Sequence, residues 1–490
     1  MMDIIEKFKP LFYPESVAMF GATSDVRKWG FALFHNLLKG GFPGPMYPVN
    51  PKKEEVFGIK AYKRLDDAPG PVDLAIVTIP PENVMDAISQ CVRKGVRAAI
   101  VNTAGFGETG EKGKALEEEI AATARDAGIV MIGPNSQGVM STGARLFPQM
   151  MGVQPVGGRI SMASQSGNIG GTLMGWGRKW NAPMGKFISA GNEATTTCAD
   201  LIEYFGHDPD TTVASAYIEG LRDGQAFLRA VRKTAREKPL LILKGGRTAA
   251  GRGAARSHTG AIAGQEELFD AACRQAGAIM ACSLEELFDL SAAFASLPLP
   301  RGNRVAVLTQ GGGWGVLAAD AAQALGLEVV QLPDKAISEL DKILPDRWSK
   351  RNPVDLAAGG GRGVVEKCLE ILLECENVDA VAMLGMGPAA ILKWNMRDSP
   401  VHAPERILEL SARADSIEEK ITGFTMDSMR KSGKPVVCSS DVVGSPFEGE
   451  SPAARMMRDA GLVMYSSPER CIRVLAALVL YANKRATLYG

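Results

Sequence analysis

Histidine, net charge and long apolar segments are scarce or absent in this 490-residue chain. Lys plus Arg and Asp plus Glu each number 55, so the formal net charge is zero, which argues against the basic surfaces typical of nucleic-acid-binding proteins. No run of 18 apolar residues occurs, and the acidic N-terminal segment does not resemble a signal peptide. These absences predict a cytoplasmic protein whose partner is a small molecule or another protein, with no nucleic acid and no membrane.

Metal-ligand spacing is also absent from the sequence. The chain has eight cysteines but no CxxC pair, and its four histidines form no cluster with them. Scattered cysteines of this kind are typical of reduced, mostly buried thiols in a cytosolic protein. We therefore expect no disulfide framework and no metal site.

The length and the apolar pattern predict three α/β domains, because a chain this long is expected to form several cores. Short apolar strands alternate with helical stretches, which predicts parallel sheets covered on both faces. A turn-rich segment at 156–158 and a proline-rich segment at 297–302 separate the predicted domains 1–150, 151–298 and 299–490. The predicted strands are 16–20, 46–50, 74–78, 98–102, 129–132, 159–163, 185–189, 213–219, 239–244, 304–309, 380–384, 435–438 and 462–465.

The first strand leads into Gly-Ala-Thr-Ser at 21–24, where a dinucleotide-binding fold has its phosphate turn. A helix is predicted to follow near Phe31, so that backbone N–H groups would face an anion. The G-x-G-x-x-G fingerprint is absent, and the second strand ends in Asn-Pro at 50–51 rather than in the acid that binds an NAD ribose. The sequence therefore disfavours a nicotinamide-dependent dehydrogenase.

Two further strands also end in glycine-rich turns that open helices. The strand at 159–163 leads into Ser-Gln-Ser-Gly-Asn-Ile-Gly-Gly, and the strand at 304–309 leads into Gln-Gly-Gly-Gly-Trp-Gly. Such turns direct backbone N–H groups and the positive end of the helix dipole toward an anion. Taken singly, each turn is equally compatible with an ordinary tight turn of an α/β fold.

His258 lies in Ser-His-Thr-Gly-Ala, near the end of roughly 20 residues rich in Gly, Ala, Arg and Thr that are predicted to form a structureless loop. The loop leaves the carboxyl end of the strand at 239–244, where ligands bind in open parallel sheets, and a helix is predicted from about Glu266. The nearby cations Arg252 and Arg256 suit an imidazole that must carry negative charge. A lone histidine in such a loop is also compatible with an exposed side chain without a role.

A mobile histidine between two helix N-termini suits a phosphohistidine intermediate, because imidazole is nucleophilic enough to accept a phosphoryl group. A carboxylate on its other nitrogen would fix the tautomer and support the developing charge. Glu219, at the carboxyl end of the strand at 213–219, is the candidate acid, and Asp223 is the alternative. Without the histidine, Glu219 is equally compatible with a solvated acid at a strand end.

The order of these motifs resembles, over essentially the whole chain, the α subunits of NDP-forming acyl-CoA synthetases of the ADP-forming acetate–CoA ligase type, relatives of succinyl-CoA synthetase. The resemblance implies an N-terminal Rossmann-like CoA-binding domain followed by two flavodoxin-like domains of the succinyl-CoA synthetase type. It also implies the interconversion of acyl-CoA, ADP and phosphate with a carboxylic acid, CoA and ATP, through an acyl phosphate and a phosphohistidine. Gly311 stands where the family often has Ser, and Ile262 where Leu or Met is common.

By this resemblance, His258 is the phosphohistidine and Glu219 its orienting acid. The implied phosphate-binding residues are Ser164, Gln165, Ser166, Gly167, Gln310, Gly311, Gly312 and Gly313. The implied CoA contacts are Gly21, Ala22, Thr23, Ser24, Asn50, Pro51, Thr78, Ile79, Pro80, Asn102, Thr103, Ala104 and Asn135.

No segment resembles the glycine-rich nucleotide loop of an ATP-grasp domain, which many family members carry in the same polypeptide. The resemblance therefore implies a separate ATP-grasp β subunit that holds ADP or ATP with Mg²⁺, in a hetero-oligomer expected to be α2β2. The alternative function is that of a non-catalytic CoA- or acyl-CoA-binding regulatory protein with the same fold. The motifs do not specify which carboxylic acid is used.

Overall fold

The computed structural model describes residues 3–251, 266–357, 363–397, 399–446 and 448–489. The chain divides into two compact units, Met1–Ser291 and Ala292–Gly490. This division falls inside a helix, whereas the last predicted domain boundary lies at 298/299. The first unit contains the first predicted domain and residues 151–291 of the second.

The first unit begins with a five-stranded parallel sheet in the order β2-β1-β5-β6-β7. Its inner strands are wholly buried because helices cover both faces. The strands are β1 Val17–Phe20, β2 Met46–Val49, β5 Leu74–Val77, β6 Ala98–Val101 and β7 Val130–Ile132, with a small hairpin of β3 Glu55–Val56 and β4 Ile59–Lys60. The helices are α1 Ile4–Phe12, α2 Trp29–Lys39, α3 Val84–Lys94 and α4 Glu111–Asp126.

The same unit contains a six-stranded sheet in the order β13-β12-β11-β9-β10-β8, parallel except for the edge strand β8. The strands are β8 Val139–Ser141, β9 Gly157–Ser164, β10 Met184–Ser189, β11 Val213–Ile218, β12 Leu240–Lys244 and β13 Ile279–Ala281. The helices are α5 Gly167–Lys179, α6 Cys198–His207, α7 Gly224–Glu237, α8 Glu266–Gln275 and α9 Leu284–Ser296, the last of which contains the division between the units.

One apolar core joins these two sheets. The rings of Phe8 and Phe12, on α1, lie 5.3 and 4.9 Å from the ring of Tyr204 on α6, and all three side chains are buried. Aromatic pairs at such distances contribute about 0.5–1.5 kcal/mol each beyond their buried area. The Tyr13 hydroxyl donates a hydrogen bond to Asp210 at the edge of the same contact. The first unit is compact because α1 packs against a helix of the second sheet.

The second unit has a parallel sheet in the order β15-β14-β17-β18, and β16 also pairs with β14. The strands are β14 Arg304–Thr309, β15 Glu328–Val329, β16 Val354–Asp355, β17 Ala380–Leu384 and β18 Val436–Ser439. The helices are α10 Gly312–Ala324, α11 Asp334–Asp341, α12 Val364–Glu374, α13 Pro388–Met396, α14 Pro404–Ser432, α15 Pro452–Asp459 and α16 Pro468–Tyr489. The prediction of parallel α/β sheets is confirmed.

Two local predictions were wrong. The strand predicted at 462–465 does not form: the Leu462 N–H closes the end of α15 on Met457 O, and only Tyr465 makes an isolated bridge, to Ser439. The structureless loop predicted after β12 is wrong at 249–251, which are helical and where the Thr248 hydroxyl accepts the Gly251 N–H, and its residues from 252 on lie outside the described ranges. A threonine that caps in this way favours a helix start.

All eight cysteines are free, and all except Cys282 are buried, as predicted. Burial raises the pKa of Cys91, Cys273, Cys368 and Cys438 to about 12, so these thiols stay protonated at neutral pH. None of the helices within the described ranges combines the length and the apolar composition needed to cross a membrane.

A buried ion pair fastens β10 to the end of α6. Lys186 Nζ lies 2.7 Å from Asp208 Oδ2, and the two side chains are only 2% and 3% exposed. Asp208 also accepts the Thr211 hydroxyl. Burying two charges is tolerated here because each carries a partner of opposite sign.

We expect Asp208→Ala to lower the free energy of unfolding by about 3–5 kcal/mol, because Lys186 then remains buried without its carboxylate. The matched control is Glu203→Ala, which removes the Lys233–Glu203 pair, also 2.7 Å long but with Lys233 59% exposed. That control should lower the free energy of unfolding by about 1 kcal/mol or less. Chemical denaturation of both variants measures the difference, and equal losses would contradict the assignment of a buried structural pair.

Candidate functional site

Two adjoining clefts lie at the carboxyl ends of the first sheet's strands, with volumes of 550 and 500 Å³. Ligands bind at this edge in open α/β sheets. Most of the predicted CoA contacts line one or both clefts: Gly21, Asn50, Pro51, Thr78, Ile79, Pro80, Asn102, Thr103, Ala104 and Asn135. Residues from five predicted strand ends are thus brought together.

Three residues predicted beside Gly21 do not line either cleft. Ala22 is fully buried, and the Thr23 hydroxyl accepts the Asp25 N–H. Ser24 is exposed. The side-chain amide of Asn50, which lines the smaller cleft, donates to Ala22 O and so fixes the conformation of the turn after β1.

Gly21 is required by the backbone. Its φ is +83°, and a Cβ there would lie 2.2 Å from Thr78 O. A Cβ on Gly30, in the first turn of α2, would lie 2.1 Å from Gly21 O. The two glycines therefore let the start of α2 approach the turn, so that Lys28, Trp29 and Gly30 line the larger cleft. The positive end of the α2 dipole is consequently available to an anion.

Five cationic side chains that the sequence reasoning did not single out line the two clefts. Arg27 and Lys28 line the larger cleft, and Lys52, Lys63 and Arg64 line the smaller one. Arg27 pairs with Asp25 and Arg64 with Asp86. The five cations lie on loops that carry no motif, so only the tertiary fold brings them together. Together with the helix dipole they favour a ligand that carries several phosphate groups.

At the second sheet, Glu219 follows the last residue of β11 and is 7% exposed. The side chain of Gln165, which follows β9, holds this segment by its amide. Gln165 Oε1 accepts the N–H groups of Glu219 (2.5 Å) and Gly220 (3.1 Å), and Nε2 donates to Gly220 O (2.9 Å). Lys244 Nζ donates to Glu219 O at 2.8 Å. Burial, together with the charge and hydrogen bond of Glu219, raises the pKa of Tyr217 to about 12.

Gln165 also contacts a second acid that the sequence reasoning missed. Glu193 is buried, has a φ of +57°, and accepts the Cys198 N–H at the start of α6 at 2.8 Å. Burial raises the pKa of Glu193, against the hydrogen bonds from Cys198 and Gln165 and the charge of Arg222. No pattern near Glu193 distinguishes it in a single sequence.

Asp223, the alternative acid, serves as the N-cap of α7. Its carboxylate accepts the N–H groups of Gln225 and Ala226, both at 2.9 Å. Because an N-cap carboxylate is engaged with its own helix, this geometry disfavours Asp223 as a partner for another group.

The turn after β9 leaves the start of α5 without a side-chain cap. The Ser164 hydroxyl donates to Ser166 O, and the Ser166 side chain accepts no N–H of the helix. A Cβ on Gly167 would lie 2.0 Å from Gln137 Cγ, so only glycine fits. Of the four predicted phosphate contacts in this turn, Ser164 and Gln165 have side chains with structural partners, whereas Ser166 and Gly167 present backbone at the helix start.

The turn after β14, in the second unit, is similarly uncapped. The Thr309 hydroxyl bonds with both the O and the N–H of Gly311, and Gly311 is the N-cap of α10 without a side chain. Gly311, Gly312 and Gly313 are exposed, and a Cβ on Gly311 or Gly313 would meet nothing within 4 Å. The exposed backbone N–H groups at the start of a 13-residue helix suit an anion.

His258, Arg252 and Arg256 lie outside the described residues, so the predicted hydrogen bond between His258 and Glu219 stays a prediction. Within the described ranges, no group of three or more His, Cys, Asp or Glu side chains could hold a metal ion.

Comparison with known proteins adds independent findings. A CoA-binding domain model matches residues 15–142, and a model of the succinyl-CoA-ligase-like flavodoxin domain matches residues 157–294. The α subunit of ADP-forming acetate–CoA ligase II of Pyrococcus furiosus is 39% identical over 377 residues, 77% of this chain and 82% of that subunit. The α subunit of the same organism's ligase I is 33% identical over 480 residues, 97% and 98% of the two chains.

Among solved structures, the dinucleotide-forming acetyl-coenzyme A synthetase 1 of Ca. Korarchaeum cryptofilum, in complex with phosphate and ADP, superposes with a TM-score of 0.85. Its sequence identity is 32%, and the match covers 99% of each chain. These likenesses confirm the predicted fold class.

We expect Glu193→Gln to reduce the pH dependence of stability. Because the folded-state pKa of Glu193 lies above its unfolded value, the unfolded chain loses this proton first as the pH rises, and the free energy of unfolding falls across that interval. Glutamine keeps an oxygen for the Cys198 N–H but cannot ionise. Melting temperatures from about pH 5 to about pH 8 measure the effect. Parallel curves for the wild type and the variant would contradict a raised pKa at Glu193.

Proposed function

This chain belongs to the family of α subunits of ADP-forming acetate–CoA ligases, and from that premise we propose that it is the α subunit of an acyl-CoA synthetase. The reaction interconverts acyl-CoA, ADP and phosphate with a carboxylic acid, CoA and ATP. The observation that carries the proposal is the pairing of Gln165 with Glu219 and Gly220, which holds a buried acid at the strand end next to an uncapped helix start.

CoA occupies the two clefts of the first sheet in this proposal. The cofactor carries a pyrophosphate and a ribose phosphate, and the clefts offer the N-terminus of α2 and the cations Lys52, Lys63 and Arg64. Cations and backbone N–H groups are the usual partners of phosphate oxygens. The family match to a CoA-binding domain over residues 15–142 supports the same ligand.

In the first chemical step, a phosphate oxygen attacks the acyl carbon of the thioester, the C–S bond breaks, and CoA leaves as the thiolate. The product is an acyl phosphate. The backbone N–H groups at Ser166 and Gly167 and the α5 dipole would stabilise the phosphate, because this helix start has no side-chain cap. Gln310, Gly311, Gly312 and Gly313 are proposed for the same role at α10.

In the second step, the His258 imidazole attacks the phosphorus of the acyl phosphate, and the carboxylate leaves. Glu219 would accept a hydrogen bond from the other ring nitrogen, which fixes the tautomer and offsets the positive charge of the ring. ADP then takes the phosphoryl group from phosphohistidine to form ATP.

We place the nucleotide, with its Mg²⁺, on a separate ATP-grasp β subunit in an α2β2 assembly. Both Pyrococcus relatives are α subunits by name, and this chain spans 98% of one of them. A subunit so named requires a partner. The second phosphoryl transfer therefore belongs to the complex rather than to this chain alone.

Labelling with radioactive phosphate tests the histidine. With acyl-CoA, phosphate and the β subunit without nucleotide, the chain should gain an acid-labile, base-stable label, as expected for a phosphoramidate. His258→Asn should abolish the label, and His207→Asn, on the exposed end of α6, should retain it. Glu219→Gln should slow labelling by about 10²- to 10⁴-fold.

ATP should form only when both ADP and the β subunit are present. A label that persists in His258→Asn would refute the phosphohistidine assignment. ATP synthesis by the isolated chain would refute the division between two subunits. Binding of CoA without any acyl-CoA-dependent label would favour the regulatory alternative.

Calorimetry tests the proposed CoA cleft. CoA should bind the full chain more tightly than NAD, because the clefts supply cations for phosphates and Asn50, rather than an acid for the adenosine ribose of NAD, follows β2. Lys63→Met should weaken CoA binding by about tenfold, the effect of a charged hydrogen bond of roughly 1.5 kcal/mol. Lys60→Met, an exposed lysine on β4 that does not line either cleft, is the matched control. Equal affinities in the two variants would contradict the placement of CoA.

A further inference from the structure

The second unit contains an apolar pocket of 230 Å³, and Gln310 is the one residue of its described lining to which the proposed mechanism gives a role. It opens at the carboxyl ends of the neighbouring strands β14 and β17, with Gln310 at its edge and Met386 among its buried lining. Leu392 on α13 and Ile417 on α14 form facing walls. This edge of a parallel sheet is where ligands bind.

Two left-handed glycines follow β17 beside the pocket. Gly385 and Gly387 have φ angles of +85° and +91°, and a Cβ on Gly387 would lie 3.0 Å from Ser440 Oγ. Helix α13 starts directly afterwards at Pro388. The two glycines therefore allow the turn between β17 and α13, whose first residues line the pocket.

Glu418, the only acid among the described lining residues, is engaged with the protein itself. Its Oε2 accepts the Ala389 N–H at 2.8 Å, and its Oε1 accepts the Ser451 hydroxyl at 2.9 Å and the Ala453 N–H at 2.8 Å. The carboxylate thus joins the starts of α13 and α15. It gives the pocket rigidity rather than a charge for a ligand.

The remaining lining selects for an apolar ligand. Among the described residues that line the pocket there is no lysine, arginine or histidine. A second carboxylate or a sulfonate would therefore lose its water without gaining a cation, which is unfavourable. A pocket of 230 Å³ exceeds the ~150 Å³ of an engineered apolar cavity in another protein that binds benzene, so a phenyl ring or a branched chain fits.

We propose that this pocket binds the hydrocarbon part of the carboxylic acid substrate, while the acyl phosphate group lies at the Gln310–Gly313 turn. The assignment rests on the proposed function and adds the substrate class to it. Branched-chain or phenyl-substituted acids are better substrates than acetate, whose methyl group leaves most of the pocket empty, and better than dicarboxylic acids.

The test uses the complete chain with its β subunit and compares kcat/KM for phenylacetyl-CoA, isovaleryl-CoA, acetyl-CoA and succinyl-CoA. Ala414→Phe places a ring in the pocket from α14. It should lower the ratio of phenylacetyl-CoA to acetyl-CoA by about 10- to 200-fold, the usual range for a mismatch in an apolar site. Ala412→Phe makes the same change at an exposed position of α14 outside the pocket lining and should keep the wild-type ratio.

Leu392→Ala enlarges the pocket from the opposite wall and should shift the preference toward larger acids. If Ala414→Phe does not fold, the substrate preference of Leu392→Ala alone tests the pocket assignment. ATP formation with wild-type ratios in these variants would overturn this pocket assignment while leaving the proposed function intact.

A second readout does not depend on turnover. Saturation-transfer NMR of phenylacetate with the full chain and phosphate should show binding that Ala414→Phe removes and Ala412→Phe retains. Such binding would support the pocket even if no acyl-CoA gave ATP, a result that would defeat the proposed function alone. If phenylacetate binds equally to all three proteins or to none, the pocket assignment is wrong.

Discussion

The hydrogen bonds of the Gln165 amide are the interaction on which the proposed centre depends. Backbone groups at the carboxyl end of a strand have no partner in the sheet beyond them, and a buried N–H without a partner costs about 1–3 kcal/mol. The Gln165 side chain supplies that partner to Glu219 and Gly220 from the neighbouring strand end. These hydrogen bonds fix the position of Glu219 at the carboxyl end of β11. The histidine proposed to accept the phosphoryl group must therefore reach that position.

Three other buried or capping acids have structural roles. Asp223 and Glu418 satisfy helix N-termini with their carboxylates, and Glu193 does the same for α6. These groups complete the hydrogen bonding that helix starts lack. The Glu219 backbone is held at the strand end by Gln165, and its carboxylate takes part in a hydrogen bond with Tyr217. The chemical role proposed for Glu219 therefore rests on its position at the carboxyl end of β11.

The compactness of the first unit has a comparable cause. Phe8 and Phe12 project from a helix ahead of the first strand, and they pack on Tyr204 of the second sheet. The two family domains that match residues 15–142 and 157–294 consequently share one core. A ligand in the clefts of the first sheet is thereby bound by a unit that also contains Glu219.

Sequence alone determined the features that depend on short stretches of chain. Strand and helix periods, the glycines after β1, β9 and β14, and the position of Glu219 at a strand end could be read locally, because backbone sterics and side-chain alternation act over a few residues. The segment at 462–465 shows the limit: its apolar pattern suits a strand, but the end of α15 takes the Leu462 N–H.

Only the tertiary structure decided which of these residues face a ligand. Gln165 lies 54 residues before Glu219, Lys63 and Arg64 reach their cleft from an irregular loop, and Glu418 on α14 engages the starts of α13 and α15. Such pairings arise from packing between distant segments, which no local pattern encodes. Sequence patterns therefore identify candidate groups, whereas the partner of each buried polar atom is determined by the packed fold.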